Sequence, residues 1–244
     1  MISSSGLGFG HGSLKRDTEE IGDLMRYLIH HRKAEKFAFV GHSTGCQNSV
    51  HYMKYGERDL MERVKVIALQ APCSDREDAM NGPNYQQNID HAKALEDTCR
   101  EEEMMPRSAF WAPITAARFL SLQDVGGDDD FFSSDFSDAQ LGLRLRHMGQ
   151  RGDQTGLKTL VAFSGEDEYV PASVDKQLLL ERLCAAMTSQ GNPDAPVVVS
   201  ESTNPDSVIP LMIGTGNHNL SNDEGDKELF VDAVKDLLKD ALLN

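Results

Sequence analysis

The residues best suited to chemistry in this chain surround Ser43. Residues 36–45 read as a short apolar run followed by Gly-x-Ser-x-Gly, in which Gly41 and Gly45 flank the serine. A serine hydroxyl is a weak nucleophile until it is held beside a base and a site that binds the developing anion. A sharp turn from a strand into a helix presents a serine in this way, and its glycines let two backbone segments approach closely. The apolar run before the motif and the helix-like residues 46–55 after it favour a nucleophilic Ser43 over an ordinary glycine-rich turn.

A nucleophilic serine at such a turn needs an acid and then a histidine further along the chain. Residues 159–163 form a β-branched, apolar run, and Asp167 lies in the polar loop that follows it. Residues 208–213 form a second such run, and His218 follows it in the same way. We therefore expect Asp167 to orient the imidazole of His218, and His218 to act as the base for Ser43.

Other carboxylates compete for the role of the acid. Asp75 follows an apolar run at residues 65–69 and is a second candidate. Asp167 is favoured over it because of its position in a loop directly after a buried strand. Glu166 and Glu168, which flank Asp167, are expected to be solvated.

Three residues next to Ser43 are assigned lesser roles. The backbone N–H of Thr44 is predicted to donate a hydrogen bond to the oxyanion that forms when the serine attacks a carbonyl. His42 and Cys46 are predicted to be packing residues, because Ser43 already occupies the nucleophile position. The sequence identifies no substrate-binding residue.

The elements that must position these residues follow from hydrophobic spacing. Residues 16–30, 174–187 and 226–242 show helical spacing of apolar residues, and residues 65–69 read as a strand of a sheet covered on both faces. The inward faces are predicted to comprise Ile21, Leu24, Met25 and Leu28 in the first helix, Leu178, Leu179, Leu183 and Ala186 in the second, and Leu229, Phe230, Ala233, Leu237 and Leu238 in the third.

The composition changes between residues 73 and 156. This stretch is rich in Asp, Glu, Met, Asn and Gln, and it contains the only tryptophan, Trp111, and the acidic triplet 128–130. It is too long for an ordinary connection between two strands. We interpret it as a cap that closes over the serine, with a surface insertion, partly disordered around residues 126–138, as the alternative.

At these residues the chain resembles the α/β-hydrolase superfamily. The loops Gly165-x-Asp167-x-x-Val170-Pro171 and Gly216-x-His218 are both familiar forms there. The resemblance implies an α/β fold with a mostly parallel sheet flanked by helices, a core of residues 1–72 and 157–244, and an inserted cap of residues 73–156. Residues 3–14, 70–77 and 217–221 resemble more narrowly a branch that includes fungal siderophore ester hydrolases, and siderophore-like esters are the substrate which that branch implies.

The resemblance also marks a departure at the start of the chain. Residues 1–5 match the end of the fourth strand of the family's sheet, so the first three strands and the loop that normally gives a second oxyanion amide are expected to be absent. The glycine-rich residues 6–12, which include His11, could replace that loop. The spacing favours a flexible loop at the mouth of the site, because only one helix separates these residues from the strand before Ser43.

Charge and composition limit the partners. The chain of 244 residues has 39 acidic and 24 basic residues and a formal net charge of −15, so nucleic acid and other phosphate-rich partners are repelled. Its four cysteines show no metal-ligand spacing, and no metal or organic cofactor is expected. The opening residues lack the pattern of a signal peptide, and no apolar run is long enough to span a bilayer, so a cytoplasmic protein with reduced thiols is predicted.

The sequence thus predicts a serine hydrolase that cleaves a small-molecule carboxylic ester through an acyl-enzyme. Two alternatives stay open. The first is a catalytically impaired or non-catalytic homologue that lacks the oxyanion loop, and the second is an acyltransferase that passes the acyl group to an alcohol or amine. The oligomeric state is left open.

Overall fold

The centre of the fold is a parallel sheet of four strands. The computed structural model describes residues 2–188 and 207–243. The strands β1 (Phe37–His42), β2 (Val64–Gln70), β3 (Lys158–Ser164) and β4 (Val208–Ile213) lie side by side in chain order, and all three pairings are parallel. The predicted α/β class is confirmed.

Helices connect and cover the strands. A 3-10 helix (Gly6–His11) precedes the helices α1 (Leu14–Arg32), α2 (Thr44–Tyr55), α3 (Arg58–Met61), α4 (Asp75–Ala79), α5 (Tyr85–Glu96), α6 (Ala116–Gln123), α7 (Asp138–Leu145), α8 (His147–Thr155), α9 (Lys176–Thr188) and α10 (Glu224–Leu243). Among these, no helix is both long enough and apolar enough to cross a membrane.

The two faces of the sheet carry different helices. Ile67 and Leu69 of β2 pack into the main core with residues of α2 such as Val50, whereas Val66 and Ala68 face α10. Alternate residues of a strand point to opposite faces, so a strand covered on both sides is apolar throughout. This explains why the strand signal in residues 65–69 is continuous rather than alternating.

Residues 73–156 form the five helices α4 to α8, of which α7 and α8 contribute Leu141, Leu145 and Met148 to the main core. Ile89, Phe119 and their neighbours form an apolar cluster apart from the main core. Two members of the acidic triplet are buried in ion pairs, Asp129 with Arg118 at 2.6 Å and Asp130 with Arg76 at 3.0 Å. Both ion pairs therefore join two segments within residues 73–156.

Three predicted core residues lie on the surface instead. Leu24, Leu178 and Leu229 are 55%, 51% and 47% exposed. These three leucines face solvent, whereas other apolar residues of the same helices are buried. In α9, for example, the neighbouring Leu179 and Leu180 are buried.

Residues 6–11 of the predicted flexible loop form the 3-10 helix, and Gly12 caps its carboxyl end. The carbonyl of Gly10 accepts a hydrogen bond from the Thr115 N–H at 2.9 Å, which ties this helix to the segment before α6. Phe9 packs against the same segment through Phe110 and Trp111. The helix thus forms part of the rim around the cavity described below.

Candidate active site

Ser43 lies at the turn between β1 and α2, in a conformation that few residues other than glycine adopt. Its φ of 54° and ψ of −126° are strained for a residue with a side chain. The turn is held on both sides, because the Ser43 N–H donates to the Gln70 carbonyl at 3.1 Å and the Ser43 carbonyl accepts from the Cys46 N–H at 2.8 Å. A strained serine at the end of a parallel strand is the geometry that the sequence predicts for a nucleophile.

The two glycines of the motif are not equivalent. A Cβ atom at Gly41 would overlap the carbonyl group of Gly45, so position 41 must be glycine for the turn to close. A Cβ atom at Gly45 would meet no atom within 4 Å. The expectation that both glycines allow a close approach is therefore wrong for Gly45.

Asp167 and His218 are hydrogen-bonded to each other beneath the surface. The Nδ1 atom of His218 lies 2.9 Å from Oδ2 and 3.1 Å from Oδ1 of Asp167, and the two residues are 5% and 2% exposed. A carboxylate on Nδ1 holds the proton there and leaves Nε2 free to accept another. The structure pairs His218 with Asp167, whereas Asp75 bonds to Gln47 at 2.9 Å.

The acid loop is fixed from two directions. The Nζ atom of Lys176 donates to the carbonyls of Gly165 and Asp167 at 2.9 and 3.0 Å. The Tyr169 N–H donates to Oδ1 of Asp167 at 3.0 Å. These contacts hold the carboxylate in one orientation towards His218.

The backbone of His218 is also held. Its N–H donates to Oε2 of Glu168 at 2.9 Å, and its carbonyl accepts from Gln70 and from the ring of His42 at 3.0 and 3.1 Å. Glu168 is exposed, as expected, but it fixes the histidine loop as well. His42 is likewise more than a packing residue, and partial burial lowers the pKa of its ring, so a neutral imidazole donates this bond.

Ser43, Thr44 and His218 line one cavity of about 750 Å³ at the carboxyl ends of the strands. Its wall includes two carboxylates, Asp75 and Asp78. It also includes several amide and aromatic side chains: Asn84, Asn88, Gln123, Asn219, Phe9, Tyr85, Phe110, Trp111, Phe119 and Tyr169. Burial, followed by the repulsion of Asp129, raises the pKa of Asp75 to about 7.

Two cysteines lie close to the site and differ in their surroundings. Cys46 is buried, its thiol faces the carbonyls of Gly41 and Gln70, and burial raises its pKa, so it is a packing residue as expected. Cys73 lines the cavity, and sequence reasoning missed it. Its position shortly after β2, at the same edge of the sheet as Asp167, is the signal that could have identified it.

Comparisons with known proteins identify the family of this chain. The family described as "Protein of unknown function (DUF1749)" matches residues 1–238. A UPF0613 protein of Schizosaccharomyces pombe is 35% identical over 194 residues, which cover 73% of this chain and 60% of that protein. Fusarinine C esterase sidJ of Aspergillus fumigatus is 31% identical over 272 residues, which cover 91% of this chain and 73% of the esterase.

A solved structure shows the fold most directly. The siderophore hydrolase EstB of Aspergillus fumigatus superposes with a TM-score of 0.74 at 28% identity, covering 99% of this chain and 80% of EstB. The chain therefore spans between three fifths and four fifths of the length of these three relatives. It belongs to the DUF1749 family and has the α/β-hydrolase fold.

Proposed function

We propose that this protein is a serine esterase in which Ser43 is the nucleophile, His218 the general base and acid, and Asp167 the residue that orients His218. The observation that carries the proposal is the single cavity shared by a strained Ser43 and a His218 whose Nδ1 is paired with a buried carboxylate. The names of two relatives, an esterase and a hydrolase, support the same reaction class.

The reaction takes place in two halves. The Ser43 hydroxyl attacks the ester carbonyl while Nε2 of His218 accepts its proton, and a tetrahedral oxyanion forms. His218 returns that proton to the leaving alcohol as the acyl-enzyme forms. Water then attacks the acyl group by the same route, which releases the acid and restores Ser43. Asp167 stabilises the charged imidazole in both halves without taking its proton.

The start of α2 provides one group for the oxyanion. The Thr44 N–H belongs to the first turn of this helix, where backbone N–H groups have no acceptor within the helix. The helix dipole adds a partial positive charge at the same place. In related chemistry, one such donor contributes about 100- to 1,000-fold to turnover.

The wall of the cavity indicates the substrate class. Among the described residues that line it, two are aspartates and none is Lys or Arg, while amide and aromatic groups form half of the remainder. Such a wall accommodates neutral or cationic esters and repels carboxylate- or phosphate-bearing ones. We propose a neutral or cationic small-molecule ester, with siderophore-like esters as the candidates that the relatives' names suggest.

We also propose that residues 73–156 act as the cap of the site. Tyr85 and Asn88 of α5, Phe119 and Gln123 of α6, and Trp111 between these helices all line the cavity that contains Ser43. This region therefore contributes more of the wall than the sheet does, and it is expected to determine which acyl and alcohol groups fit.

The test compares the purified chain with Ser43→Ala on three esters of one alcohol, whose acyl groups are neutral, amine-bearing and carboxylate-bearing. We expect Ser43-dependent release of acid from the first two and at least about tenfold slower release from the third. Free acid as the product distinguishes hydrolysis from acyl transfer to an added alcohol. Equal rates for Ser43→Ala and the unchanged chain would refute the proposed nucleophile, and a preference for the carboxylate ester would refute the substrate class.

A further inference from the structure

The thiol of Cys73 lies against the proposed Asp167–His218 pair. The turn after β2 brings it there: Ala71 adopts a φ of 54°, its N–H donates to the Ala162 carbonyl at 3.0 Å, and the Cys73 N–H donates to the Ala71 carbonyl at 3.0 Å. Cys73 is only 7% exposed. A strained, non-glycine residue thus turns the chain so that the cysteine points to the end of β3.

Three ligand atoms of different chemistry converge at this point. One atom each from Cys73, Asp167 and His218 lie within 4.8 Å of one another, and all three residues are buried. Sulfur, imidazole nitrogen and carboxylate oxygen are the ligands that Zn²⁺ takes in proteins, at about 2.0–2.3 Å. Tetrahedral coordination at those lengths separates the ligand atoms by about 3.5 Å, so shifts on the order of 1 Å would complete the site.

We propose that Cys73, Asp167 and His218 form a binding site for Zn²⁺, and that occupation of this site switches the hydrolase off. The inhibitory part rests on the proposed function, whereas the metal site does not. Three protein ligands leave one coordination position for a water molecule. The wall of the cavity also favours a cation, because Asp75 and Asp78 are its charged residues among those described.

Binding and catalysis exclude each other because both need His218. Asp167 faces Nδ1 of His218, so a Zn²⁺ held by both residues takes Nδ1 and displaces the proton between them. The neutral imidazole then carries its proton on Nε2 and cannot accept the proton of Ser43. The Cys73 thiol releases its proton to solvent as the metal–sulfur bond forms.

Co²⁺ is the probe for the site, because a thiolate ligand gives it a charge-transfer absorption band that other ligands do not. We expect the band in the unchanged chain and in Cys99→Ser, which alters an exposed cysteine, and we expect Zn²⁺ to abolish it. Cys73→Ser and Cys73→Ala should lack the band while keeping the circular dichroism of the unchanged chain. A folded, unchanged chain without the band, or a band that persists in both Cys73 variants, would overturn the metal site.

Inhibition is measured separately, as the rate of ester cleavage with added Zn²⁺ relative to each variant's own rate without it. The unchanged chain and Cys99→Ser should be inhibited, and a chelator should restore them. Cys73→Ser should need at least about tenfold more Zn²⁺ for the same inhibition. A metal that binds through Cys73 but leaves the rate unchanged would overturn the inhibitory role. A chain that binds Co²⁺ through Cys73 but cleaves no ester would count against the proposed esterase alone.

Discussion

Asp167→Asn is the substitution that examines the orientation of His218 most closely. Oδ1 of Asp167 accepts the Tyr169 N–H at 3.0 Å, so the asparagine must keep its oxygen at that position. Its NH₂ group then occupies the place of Oδ2, which lies 2.9 Å from Nδ1 of His218. An amide donor there favours the tautomer with the proton on Nε2, and that tautomer cannot accept the proton of Ser43.

The expected loss follows from this tautomer. The same replacement in a serine triad lowers turnover by about 10⁴-fold, which corresponds to about 5.5 kcal/mol of activation free energy. The fold should be little affected, because the asparagine is nearly isosteric and the loop keeps its bonds from Tyr169 and Lys176. The loss should therefore appear in kcat rather than in the thermal midpoint.

The assay is the initial rate of cleavage of a neutral ester, with Glu168→Gln as the matched control. Glu168 contacts the backbone N–H of His218 instead of its ring, and a glutamine oxygen can still accept that bond. We expect Glu168→Gln to keep its rate within about tenfold. A folded Asp167→Asn whose rate also stays within tenfold would refute the assignment of Asp167 as the orienting acid.

Three further predictions concern the turn, the buried ion pairs and a titrating group. Gly41→Ala should abolish Ser43-dependent activity and destabilise the fold, because the new Cβ overlaps the carbonyl group of Gly45. Gly45→Ala should be neutral or stabilise α2 by about 0.5–1 kcal/mol, because its Cβ meets no atom within 4 Å. Urea unfolding measures both changes in stability. Arg76→Leu should destabilise by about 3–5 kcal/mol, because it leaves a buried aspartate unpaired. Arg100→Leu, at an exposed ion pair, should leave the urea midpoint nearly unchanged in the same assay. Burial raises the pKa of Asp75 to about 7, whereas the same carboxyl titrates near 4 in the unfolded chain, so the native state holds this proton more tightly. The free energy of unfolding should therefore fall as the pH rises from about 4 to 7. Asp75→Asn should remove up to about 1.4 kcal/mol per pH unit of that slope.

The candidate site could be proposed from the sequence because its parts are local. Ser43, Asp167 and His218 each follow an apolar run directly, and the carboxyl ends of parallel strands meet at one edge of the sheet. Once the runs are assigned as strands of one parallel sheet, the three residues are expected at the same edge of that sheet. The bounds of β4, Val208–Ile213, were predicted to the residue for the same reason.

What could not be predicted depends on contacts between distant parts of the chain. The position of Cys73 after β2 places it at the right edge of the sheet, but its thiol reaches the Asp167–His218 pair through the strained turn at Ala71, which no spacing in the sequence signals. Leu24 has the spacing of a core residue, but its burial depends on which layer covers its side of α1. The partners of Asp129 and Asp130 are arginines at positions 118 and 76, and a run of three aspartates reads equally well as a solvated loop.

The most direct test of the central claim is covalent labelling of the folded chain with a fluorophosphonate, followed by peptide mapping of the modified residue. The proposed mechanism predicts a single adduct on Ser43, no adduct in Ser43→Ala, and labelling slowed by at least about 10³-fold in His218→Ala, which keeps the serine but loses its base. An unlabelled Ser43 in a chain shown to be folded, or equal labelling with and without His218, would contradict the proposal that the turn, the base and the acid work as one catalytic unit.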